Sequence, residues 1–148
     1  MNAQESVRNR IRDPVTKMLL ANSQLTVTQL ETLLTDALSA SVDLSKSQRR
    51  FYRPSKRRIS RGAYNRTLIQ AQNNVIRSIY TILLLGYLGL FDSAALQPFL
   101  ELSDTIDSYV QEAKRSSEND QSAIDQLNER LLESISALAS RRSFKDTL

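Results

Sequence analysis

The chain has 148 residues, 41% hydrophobic and 24% charged, with three glycines, three prolines, no cysteine and no histidine. That balance suits one ordinary domain with a buried core and excludes a disordered chain. The missing Cys and His exclude disulfides, thiolate nucleophiles, zinc ribbons and the usual general base.

So few glycines and prolines leave little turn chemistry for a many-stranded sheet. The expected fold is therefore all-α: a five- or six-helix bundle around one long central helix, with residues 1–148 forming a single domain. Residues 5–22 carry Val7, Ile11, Val15, Met18 and Leu19 at helical spacing. Pro14 falls inside that pattern and should either kink the helix or make Asp13 the start of a second piece. Arg8, Arg12 and Lys17 are assigned to a solvated face. In SQLTVTQLETLLTDALSA both Thr26 with Gln29 and Thr28 with Glu31 have capping-box spacing. Leu30, Leu33, Leu34, Ala37 and Leu38 are expected to be the buried side of the helix that follows.

Residues 44–59 have no sustained apolar period and contain Pro54, which predicts a basic loop or arm. Phe51 and Tyr52 within it could pack the arm onto the domain or stack on a base. The central helix is predicted over 60–91, with Ser60 as N-cap. Tyr64, Leu68, Ala71, Val75, Ile79, Ile82 and Gly86 trace one of its faces, and Arg66, Gln70, Asn73, Arg77 and Thr81 the opposite one. From Ile82 it is apolar all round, so neighbours are expected to cover every side. Gly86 and Gly89 allow close helix approach or end the helix, Gly89 being the better stop. Asp92 or Ser93 should cap a further helix with Pro98 in its opening turns. After the polar break at 116–120, Ile124, Leu127, Leu131, Ile135 and Leu138 repeat as in a bundle or short coiled coil. The tail, 141–148, is expected to fray.

Charge is distributed unevenly around the net +4. Between Lys46 and Arg77 lie ten basic residues and no acidic one, against ten acidic and three basic between Asp92 and Glu133. Such asymmetry speaks of partners, since fold stability does not require it. Eight of the sixteen residues from Lys46 to Arg61 are basic, and guanidiniums dominate, which suits forked hydrogen bonds to phosphate. The next helix starts at Ser60, so its unpaired amides and positive dipole end leave from the same region. The candidate nucleic-acid-binding set is Lys46, Arg49, Arg50, Arg53, Lys56, Arg57, Arg58, Ser60, Arg61, Tyr64, Asn65 and Arg66. No catalytic residues, metal ligands or cofactors are assigned.

Residues 60–68, SRGAYNRTL, resemble the opening of the recognition helix in helix-turn-helix DNA-binding proteins. Residues 85–92, LGYLGLFD, are similar to the ending that follows that helix in winged-helix regulators. The resemblance is confined to these two pieces. It implies that Arg61, Asn65 and Arg66 face base edges, with the Lys46 to Arg58 cations on phosphates.

The function expected is thus a non-enzymatic nucleic-acid-binding protein, for DNA rather than RNA, regulatory or architectural. The alternative is a helical adaptor or oligomerisation module pairing basic and acidic surfaces, with a homodimer through the C-terminal helices. Arg57-Arg58-Ile59-Ser60 also fits the basic pattern before a phosphorylatable serine and a nuclear import signal. The N-terminus lacks the apolar core of a secretory signal, so an intracellular protein, cytoplasmic or nuclear, is expected. The longest apolar run, Ile79 to Phe91, is too short to span a bilayer, and no membrane partner is assigned.

Overall fold

A computed structural model describes residues 3–40, 59–90, 93–116 and 120–138. The fold is an all-α helical bundle, built among the described residues from six α-helices and one 3-10 turn. The helices are α1 (Ala3–Arg12), α2 (Pro14–Ala21), α3 (Val27–Ala40), α4 (Arg61–Tyr87), α5 (Gln97–Ser116) and α6 (Asp120–Leu138), with the 3-10 turn at Ser93–Leu96. The chain divides into two compact units, Met1–Ile79 and Tyr80–Leu148.

In the first unit the helix boundaries follow local chemistry. Asp13 ends α1 and caps α2, its carboxylate accepting the Thr16 N–H at 2.7 Å, while Pro14 takes a first-turn position where no N–H is needed. Of the two capping-box candidates before α3, Thr26 and Gln29 form the box. The Gln29 N–H donates to Thr26 Oγ1 at 3.2 Å and the Thr26 N–H to Gln29 Oε1 at 3.0 Å.

α1 packs on α2 and α3, with Val7 and Val15 buried. The expected solvated face holds, since Arg8, Arg12 and Lys17 are exposed. The buried line of α3 differs from the leucine face the sequence suggests. Leu30, Leu33, Leu34 and Leu38 are only half-buried and Ala37 is exposed, whereas Glu31, Thr32, Thr35 and Ser39 are buried. Small residues at i, i+3 and i+7 let neighbouring backbones approach. Their hydroxyls need no outside partner, because Thr32 Oγ1 donates to the Thr28 carbonyl and Thr35 Oγ1 to the Glu31 carbonyl, each at 2.7 Å, and Ser39 Oγ to the Thr35 carbonyl. The leucines flank that stripe on both sides.

In the second unit α5 packs on α6 and on the 3-10 turn, with Ile124 and Leu127 of α6 each only 4% exposed. Pro98 sits second in α5, as its missing N–H allows. α4 ends in a Schellman motif: Gly89 has φ 66°, its N–H donates to the Gly86 carbonyl at 3.1 Å, and the Leu90 N–H donates to the Leu85 carbonyl at 2.9 Å. Gly86 has no close neighbour, since a Cβ there would meet nothing within 4 Å. Gly86→Ala is accordingly expected to stabilise the protein by about 0.5–1 kcal/mol. Gly89→Ala should destabilise it, because a side chain at positive φ is strained. Urea midpoints of the two variants check both signs.

The expectation that neighbours enclose α4 from Ile82 onward is not met. Ile82, Leu83, Leu84, Tyr87 and Leu88 are all exposed, while Leu85, Gly86, Gly89 and Leu90 are half-buried. Cover over this part of α4 is therefore partial, reaching Leu85 and Gly86 and leaving Ile82, Leu83 and Leu84 exposed.

Candidate functional site

The N-terminal end of α4 is set by Ser60, whose Oγ accepts the Ala63 N–H at 3.1 Å and whose carbonyl accepts the Tyr64 N–H at 3.0 Å. Ile59, just outside the cap, is half-buried, and Ile59 and Tyr64 occupy the two positions of a hydrophobic staple. The amides of Arg61 and Gly62 come before the first intrahelical bond, where helical geometry supplies no acceptor. The first turn holds no acidic residue, so nothing on the helix itself offsets the positive end of its dipole.

Three tertiary hydrogen bonds from two side chains hold this half of α4 against α3 and the loop before it. The Tyr64 hydroxyl donates to the Thr32 carbonyl at 3.5 Å, and the Asn74 amide donates to the Gln24 carbonyl at 3.1 Å and to Gln29 Oε1 at 3.2 Å. Because Tyr64 meets Thr32 while Asn74 meets the opposite end of α3, the two helices run in opposite senses. The N-terminus of α4 therefore lies beside the C-terminal turns of α3. Gln29 thus caps its own helix and accepts from α4 with the same oxygen.

This arrangement opens a groove of about 410 Å³ lined by Asp36 of α3 and by Arg61, Tyr64, Asn65, Leu68, Ile69 and Gln72 of α4. Tyr64 and Leu68 belong to its inner side, and Arg61, Asn65 and Gln72 are exposed. The groove can donate through the guanidinium and both amides and accept through the carboxylate and the amide oxygens.

Four of the candidate site residues meet the exposure that a contact requires: Ser60, Arg61, Asn65 and Arg66. Arg61 and Asn65 share one face, one turn apart, whereas Arg66 points about 100° away from Asn65 around the helix. Tyr64 requires correction as a nucleic-acid contact. It is 2% exposed, its ring lies in the core beside Thr32, and it has no face to offer a base. The helical period already placed Tyr64 on the same face as Ala71, which is also fully buried. Lys46, Arg49, Arg50, Arg53, Lys56, Arg57 and Arg58 lie outside the described residues.

Asp36, Gln72 and Asn74 escaped the sequence reading. Asn74 stands on the flank of the Tyr64 and Ala71 face, which is a weak signal, and its partners come from a loop and a helix 45 to 50 residues earlier. A second groove of about 450 Å³ between α5 and α6 is lined by Pro98, Phe99, Leu102, Leu127 and Leu131, with Arg130 and Ser134 as its polar members. Among the described residues no cluster of three or more acidic side chains is placed to hold a metal ion. No helix among them is long and apolar enough to cross a membrane. No protein-family model, curated protein or solved structure matches the chain.

Proposed function

We propose that the protein binds nucleic acid without acting on it chemically, DNA in preference to RNA, in a regulatory or architectural role. The observation that carries the reading is the open N-terminal end of α4. There Arg61, Asn65 and Arg66 are exposed at a helix start whose own first turn holds no acidic residue, and the sequence leads into it through the seven cations from Lys46 to Arg58. Arginine forks and helix amides both suit phosphate oxygens. Arg61 and Asn65 on one face have the donor and acceptor pattern that pairs with guanine and adenine edges, respectively. The short resemblance of residues 60–68 to a recognition helix supports the same division, with cations gripping the backbone and polar helix residues turned to bases.

The test is a gel-shift titration of the full chain on mixed-sequence duplex, single-stranded DNA and RNA across a range of salt concentrations. Neutralising about six phosphates gives a slope near −5 for log affinity against log salt on duplex. A slope near zero on every ligand would end the proposal, and a steeper slope on RNA would reassign the partner.

A further inference from the structure

α4 changes character along its length. From Ser78 to Leu90 the chain has no charged residue. Tyr80, Leu83, Leu84, Tyr87 and Leu88 follow one another at i, i+3, i+4, i+7 and i+8, the spacing of a single buried stripe. All five are exposed, from 54% at Leu88 to 88% at Tyr87. On the opposite flank Leu85 and Gly86 are half-buried, and Ile82 is 42% exposed.

We infer that this stripe is covered by the same stripe of a second copy of the chain. The area favours that occupant. At these exposures the five residues present roughly 600 Å², the upper end of the ~300–600 Å² of the largest patch on a typical monomer. Two such stripes face to face bury about 1,200 Å² in total, the lower end of the ~1,200–2,000 Å² of a stable specific interface. The chemistry favours it as well. From Tyr80 to Leu88 the stripe has no charge with which to select an acidic or basic partner, whereas an isologous pairing matches it apolar to apolar. The two tyrosines supply the aromatic anchors in which interfaces are enriched. The C-terminal helix is a poorer seam, since Ile124 and Leu127 of its repeat are already buried within the unit.

Sedimentation equilibrium of the full chain in low and high salt tests the assignment. Expected is a dimer at micromolar concentration that is insensitive to salt, with Leu83→Glu weakening it by about a hundred-fold or more and leaving the far-ultraviolet circular dichroism unchanged. The chain has no cysteine, so Leu84→Cys provides an independent reading. Mild oxidation should link two copies through that position, and should not do so through Arg8→Cys on the exposed face of α1. A wild-type protein that stays monomeric at about 100 μM overturns the inference, as does a dimer indifferent to Leu83→Glu or one lost in high salt. A monomer that instead floats with phosphatidylcholine and phosphatidylglycerol vesicles assigns the stripe to a membrane surface and overturns it equally. None of these outcomes depends on nucleic-acid affinity.

Discussion

Truncating Tyr64 to alanine is expected to cost about 3–5 kcal/mol of stability, the range for deleting a buried aromatic ring, and to lower the melting temperature by about 10 °C in a chain of this size. The ring is 2% exposed and lies where α4 crosses the hydroxyl stripe of α3, next to Thr32, which is itself fully buried. No large side chain stands by to refill the space, because that stripe is made of threonine and serine held to their own helix. Tyr64→Phe keeps the ring and gives up one long hydrogen bond, so its cost should be about 1 kcal/mol or less. Urea unfolding of the two variants checks the pair. A loss below about 1 kcal/mol for Tyr64→Ala would mean that the ring is not core. The same truncation should weaken nucleic-acid binding indirectly, since Tyr64 seats the turn that presents Arg61 and Asn65.

Reversing two charges in the basic arm, Arg57→Glu with Arg58→Glu, should lower nucleic-acid affinity by about ten- to a hundred-fold on every sequence and flatten the salt slope by about two. Such contacts grip phosphate, and phosphate is the same at every step of the duplex. Asn65→Ala is the informative contrast. Asn65 is exposed in the groove beside Arg61 and Gln72, and an asparagine that pairs with adenine contributes about 1–3 kcal/mol of discrimination at one position. Its removal should therefore change which sequences bind and leave the salt slope in place. Competition binding with a randomised duplex pool, run on wild type and both variants, separates the two effects. An Asn65→Ala protein with unaltered preference would restrict α4 to backbone contacts.

The helix boundaries were legible in the sequence because caps are local chemistry. Asp13 with Pro14, Thr26 with Gln29, Ser60 and Gly89 each act within a few residues of themselves, and each stands in the structure where its residue type requires. The all-α class followed from the same source, since scarce glycine and proline leave little room for anything but long helices. What surrounds each helix face was less legible. On α3 the apolar pattern pointed to leucines, yet the residues it buries are Glu31, Thr32, Thr35 and Ser39. A period count cannot distinguish a face that is apolar from one that is tightly packed.

The amino-acid order by itself determined where helices begin and end, that their class is all-α, and that cations cluster ahead of α4, since all of these depend on near neighbours along the chain. Tertiary structure alone decided that the Tyr64 ring is buried beside Thr32 and closed to a ligand, that Asn74 ties α4 to the Gln24 loop and the cap of α3, and that Ile82, Leu83 and Leu84 at the apolar end of α4 stay exposed. Burial is a property of the partner a surface meets, and the partner comes from residues tens of positions away.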